Sequence, residues 1–142
     1  MASSAPINIT SSTTLDARHA GTVCTINAAA GLTITLPAAT GSGREYELVI
    51  GTTVTSNNVV IQVANASDTM TGKAEIAQDA ADTEVSFETA STSDTITLNG
   101  STKGGIKGDR ILLRDVQANL WYVEAELSGT GTEATPFSAA VS

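Results

Sequence analysis

At 142 residues, with 41% apolar and only 15% charged side chains, the chain is sized for one domain and takes its polarity from Ser, Thr, Asn and Gly. That profile excludes a helical bundle and points to a turn-rich β domain. A formal net charge of −8 argues against nucleic acid or an anionic membrane as partner, and the single cysteine and single histidine leave no internal disulfide, zinc thiolate cluster or multi-histidine site, so no cofactor is expected.

The opening MASSAPINIT has neither a basic nor a long apolar region, and no run approaches the roughly 18 apolar residues of a membrane span, so a soluble protein is expected. Residues 1–20 are rich in Ser, Thr and Ala, with isolated Ile7, Ile9 and Leu15. They read as an extended N-terminal arm that docks on a partner or frays. TVCTIN from Thr22, a small-residue turn at Ala28–Gly31 and LTITLP, whose Leu32, Ile34 and Leu36 share a face, read as a hairpin ended by Pro37. REYELVIG places Tyr46, Leu48 and Ile50 inward and Glu45, Glu47 and Val49 outward. VVIQV, TMTGKAEIA, TEVSFET and TITLNG add further strands, separated by turn-forming stretches.

The stretch Gly108–Leu127 has the clearest pattern. Ile111 and Leu113 alternate with Arg110, Leu112 and Arg114 on one arm of a hairpin; Trp121, Val123, Ala125 and Leu127 alternate with Tyr122, Glu124 and Glu126 on the other. Asp115–Asn119 is the expected turn, and Trp121 the largest expected contribution to the core. Residues 129–142 read as a C-terminal tail with one anchor, Phe137, set against a neighbouring protomer or its own sheet edge. The expected architecture is all-β: an antiparallel jelly-roll-like β-sandwich or barrel of about eight short strands over residues 21–128, with extended arms at both ends.

Candidate chemistry is sparse. His19 with Asp16 could form part of a Ser-His-Asp arrangement, but both fall in the arm, where a catalytic geometry is not held. Cys24, within a strand, reads as a small buried apolar residue rather than a nucleophile. Asp79, Asp82 and Glu84 lack the pattern of a calcium loop and read as a solvated turn. GSTKGGIKGD lacks the ending of a phosphate-binding loop, and the glycosylation acceptors at Asn8, Asn65 and Asn99 carry no weight without a secretion signal. Leu112, Leu120 and Tyr122 give the hairpin apolar character on its second face, a candidate oligomer interface shared with Phe137.

The succession LTITLPAATGSG, VIGTTVTSNNVVIQVANASDTMTG and DTITLNGSTKGGIKGDRILLRDVQANLWYVEA resembles structural proteins of tailed bacteriophages, particularly head decoration (cement) proteins, over about residues 32–133. The resemblance implies a non-enzymatic homotrimer on the outer capsid surface of the virion, assembled in the host cytoplasm and bound to the major capsid protein. Ile7, Ile9 and Leu15 are then the expected capsid-binding arm, adding a strand to an exposed capsid edge. A phage tail-fibre or receptor-binding β module is the alternative. A small jelly-roll enzyme stands third, weakened by the lone histidine.

Overall fold

The structure, a computed structural model, describes residues 5–142. The chain forms strands β1 (Ile7–Ile9), β2 (Thr13–Thr14), β3 (Val23–Asn27), β4 (Leu32–Thr35), β5 (Glu45–Thr52), β6 (Val59–Gln62), β7 (Thr69–Gln78), β8 (Glu84–Glu88), β9 (Thr95–Leu98), β10 (Arg110–Gln117), β11 (Leu120–Gly129) and β12 (Phe137–Ser138). They build two open sheets, ordered β1-β3-β5-β10-β11-β7-β8 and β12-β9-β6-β4-β2.

The expected hairpin of β10 and β11 is present and lies in the middle of the seven-stranded sheet, with Leu113 opposite Val123 and Ile111 opposite Ala125. Its turn is tighter than the sequence suggests. The strands run to Gln117 and Leu120, Asn119 takes the left-handed conformation (φ 64°), and a bulge between Asp115 and Gln117 leaves Val116 exposed.

The all-antiparallel, jelly-roll-like pairing expected from the sequence is corrected. Within the described residues β1–β3, β3–β5, β7–β11, β2–β4 and β4–β6 pair in parallel, and the other pairs are antiparallel. The cause is visible in β3 and β4, which are no hairpin: they lie in different sheets, and each pairs with the strand two further along the chain. From β1 to β6 the chain crosses to the other sheet at every connection, so it re-enters each sheet from the same end. The corners stack as the strands do. The amides of Thr55 and Ser56 donate to the Ala29 carbonyl (2.8 and 3.1 Å), and Gly31 (φ 80°) lies where a Cβ would meet the Asn58 carbonyl oxygen at 2.4 Å.

The facing sides of the sheets make one core. The seven-stranded sheet contributes Cys24, Tyr46, Leu48, Ile111, Leu113 and Trp121; the other contributes Ile34, Val59, Ile61, Ile96 and Leu98, all buried. Trp121 and Tyr46 meet edge to face, with ring centroids 5.8 Å apart and planes at 63°. Such a pair adds about 0.5–1.5 kcal/mol to the burial of the two rings.

The described part of the N-terminal arm, residues 5–20, is instead built into the sandwich. β1 extends one sheet and β2 the other, Ile9 and Leu15 are 3% and 1% exposed, and the Leu15 amide donates to the Thr35 carbonyl (2.9 Å). Sparse apolar residues suffice here because each strand is only two or three residues long. Phe137 in the C-terminal tail likewise lies on its own sheet edge, opposite Ile96, and is 7% exposed.

If residues 5–20 are integral to the fold, Leu15→Ala destabilises the protein by about 2–5 kcal/mol, the cost of emptying a core leucine site. Urea unfolding followed by Trp121 fluorescence measures it. A displacement under about 0.5 kcal/mol, the size of an ordinary surface change, restores the loose-arm reading.

Candidate interaction surface

On the outer face of the seven-stranded sheet, strand register sets side chains in rows. One row runs Val23, Glu47, Leu112, Glu124, Lys73, Glu88; the next runs Thr25, Val49, Arg110, Glu126, Glu75, Ser86. Leu112, Leu120 and Tyr122, expected to meet a neighbour, are half-buried on this face, and Leu112 is flanked in register by Glu47 and Glu124. The face does not include Phe137, which belongs to the edge of the other sheet. Ile9 and Leu15 are in the core and leave only Ile7, half-buried on β1, to offer an apolar surface near the N-terminus.

Polar contacts frame these apolar side chains. Arg110 Nε donates to Glu47 Oε2 (2.6 Å) and Arg114 Nη2 to Glu45 Oε2 (2.7 Å). The four side chains are 31–51% exposed, so each pair is worth under about 1 kcal/mol and serves mainly to order the surface. Tyr122 Oη donates to Glu124 Oε1 (2.6 Å), and this bond raises the phenol's pKa above its ordinary value. Between the parallel strands β7 and β11 runs an open groove lined by Lys73, Glu75, Tyr122, Glu124 and Glu126. With Glu84 and Glu88 on β8, this half of the face carries five carboxylates and one ammonium, whereas β1 and β3 are neutral and Glu45 and Glu47 of β5 are matched by Arg114 and Arg110 of β10.

The residues with catalytic potential are arranged for structure. His19 is 1% exposed and both ring nitrogens are engaged. The Asp16 amide donates to Nδ1 (3.0 Å), which also lies 3.1 Å from Asp16 Oδ1, and Arg18 Nη2 lies 3.2 Å from Nε2. Asp16 and His19 are thus brought together in a turn, as a catalytic dyad would need, yet neither ring nitrogen faces a serine hydroxyl among the described residues. Burial pushes the Cys24 thiol up, and its Sγ lies against the carbonyl oxygens of His19 (3.9 Å) and Thr22 (3.8 Å). Among the described residues no group of three or more His, Cys, Asp or Glu is placed to hold a metal ion.

The residues that sequence reasoning missed are buried carboxylates. Asp115, read as part of a turn, points inward at the bulge and gathers the corner before β5: the amides of Thr40, Gly41 and Ser42 donate to it at 2.7–3.1 Å, and Ser42 Oγ at 2.7 Å. Asp109 accepts the amides of Gly105 (2.9 Å), Ile106 (3.1 Å) and Ser128 (2.9 Å). Asp94 accepts those of Val141 (3.1 Å) and Ser142 (2.9 Å), and Asp68 that of Ala39 (2.9 Å). An aspartate closing a polar or glycine-rich stretch is the available sequence signal, but the same signal marks exposed turns.

Protein-family models, curated proteins and solved structures were compared with this chain, and none matches.

Burial pushes the Asp115 carboxyl up, but the bonds from Ser42 Oγ and the three amides outweigh it and hold the group below its ordinary 3.8. Its stabilising effect is therefore full above pH 3.8 and is lost as pH falls through the lower folded value. Asp94 behaves alike, whereas burial raises Asp109, which favours the fold more in acid. Asp115→Asn should cost about 1–3 kcal/mol at pH 6 and lose less on further acidification than the parent chain. Thermal unfolding between pH 6 and pH 2 tests this, and equal pH slopes for the two chains would refute the assignment.

Proposed function

We propose that the chain is a non-enzymatic structural protein of a tailed-bacteriophage virion: a decoration protein seated on the outer capsid surface, where it strengthens contacts between major capsid subunits. The observation that carries this reading is the outer face of the seven-stranded sheet, broad, open and mixed in character, with half-buried Leu112, Leu120 and Tyr122 set among ordered charges. Such a face is built for a large protein surface, not for enclosing a small substrate. The resemblance of residues 32–133 to phage head proteins supplies the partner, and a homotrimer supplies the avidity that lets modest contacts hold a capsid against internal pressure.

The fold changes how such a protein would grip its capsid. A donated N-terminal strand is no longer the mechanism, because β1 already pairs with β3 and Ile9 and Leu15 are in the core. The sheet face takes its place, with Leu112 and Tyr122 on the contact and Leu120 at its margin.

Antibody to the purified protein, used for immunogold electron microscopy of phage particles, should label the head over its whole surface. Label at the tail tip instead assigns the chain to the receptor-binding class. Leu112→Glu, on the outer face and away from the core, should leave the thermal midpoint within a few degrees and abolish co-sedimentation with phage heads. Undiminished co-sedimentation removes this face from the contact. Light scattering on a sizing column reads the trimer directly.

A further inference from the structure

The free edge of β9 is closed by a short segment of the chain's own C-terminal tail, and the contacts are concentrated. The Asp94 amide donates to the Ser138 carbonyl (2.9 Å) and the Thr97 amide to the Pro136 carbonyl (2.8 Å), while Phe137 inserts opposite Ile96. Beyond β12 the amides of Val141 and Ser142 converge on the two carboxylate oxygens of Asp94, which is 0% exposed and also accepts Thr95 Oγ1 (2.8 Å). Ala139 and Ala140 between them are exposed. The tail is thus recognised at three points: backbone pairing on β9, an aromatic side chain in the core and two amides on a buried carboxylate.

We propose that the β9 edge with Asp94 is a strand-acceptor site that takes residues 136–142 from a second copy of this chain as it takes its own. Three features support exchange. The segment touches the sandwich through this site, whereas the preceding residues, 130–135, are held separately by the Thr130 and Ala134 amides on the Ser101 and Thr102 carbonyls (3.0 Å each) and by Gln78 on Glu133 (2.8 Å). That linker contains Gly131 in the left-handed region (φ 68°) and, fully extended, reaches about 20 Å, enough to pass to an adjoining molecule. Finally, the acceptor does not stay empty. An unfilled site deprives Asp94 of the Val141 and Ser142 amides, leaves the Asp94 and Thr97 amides of the β9 edge unpaired and bares Ile96, which is unfavourable, so departure of the chain's own segment favours arrival of another. Every copy carries both halves, so exchange preserves each contact of residues 136–142 and links the copies, while the extended linker gives up the bonds of Ala134 and Glu133 to its own molecule. Exchange of this kind does not depend on the virion reading.

Register makes the test direct, since Ser138 lies opposite Thr95. In the full chain, Thr95→Cys with Ser138→Cys should close a disulfide within one molecule on mild oxidation. Mixing the two single variants at about millimolar concentration and oxidising slowly should give a covalent dimer, joined from position 95 of one molecule to position 138 of the other. Adding Phe137→Ala to the Ser138→Cys chain should cut its yield several-fold. The proposal fails if the double variant does not close, if it closes but the mixture gives no dimer, or if Phe137→Ala leaves the yield unchanged, which is the mark of random collision.

Discussion

The sandwich depends on satisfying backbone amides at its ends. Loops rich in Gly, Ala, Ser and Thr have few long side chains with which to cover themselves, and their N–H groups point into partly buried corners. Four aspartates meet that demand. Asp115 holds the corner before β5 against the turn of the central hairpin, Asp109 ties the glycine-rich loop to β11, Asp94 fixes the chain after β12, and Asp68 caps the stretch after β4. Each carboxylate is 3% exposed or less; amides and hydroxyls on both oxygens make this tolerable for Asp94, Asp109 and Asp115, whereas Asp68 accepts one amide on Oδ2 and its Oδ1 has no partner among the described residues. In a chain with 15 acidic residues, these serve the interior and most of the rest spread over the surface.

What could be read from the sequence follows from what alternation encodes. A period of two states which side chains face the core, and at Tyr46, Leu48, Ile50, Ile111, Leu113, Trp121 and Val123 the structure agrees with that reading. It says nothing of which strand lies alongside or in which direction. TVCTIN and LTITLP look like a hairpin because both have one buried face, yet AAAG is a corner between sheets whose neighbour is a second corner near residue 55. The short edge strands escaped notice because two or three residues show no period, so Ile9, Leu15 and Phe137 passed for anchors on loose arms. The outward set Arg110, Leu112, Arg114 and Tyr122 was legible. The buried aspartates were not: Asp115 depends on amides some 75 residues away along the chain and Asp94 on amides 47 and 48 residues away, while the local amides around Asp109 look the same as those of an exposed turn.

The two sheets divide the work. The five-stranded sheet is made of short strands with edges closed by β2 and β12. The seven-stranded sheet carries the long strands β5, β7, β10 and β11 and a patterned outer surface, neutral toward β1 and acidic toward β8. Ion pairs across β5 and β10 order the side chains in the middle of that surface, which lowers the conformational entropy that docking there would cost.

The pairing of β5 with β10 also bears on the order of events during synthesis. Arg110 and Glu47 are 63 residues apart, so β5 leaves the ribosome with one long edge open, and that edge stays open until nearly half the chain more has been made. The first six strands can wind around one another early, but they cannot be finished: the Asp115 anchor for the corner before β5 does not yet exist. Folding of the complete chain is therefore governed by closure of a long loop, placing this protein among slow-folding β topologies. Its exposure to mispairing ends when the hairpin of β10 and β11 arrives.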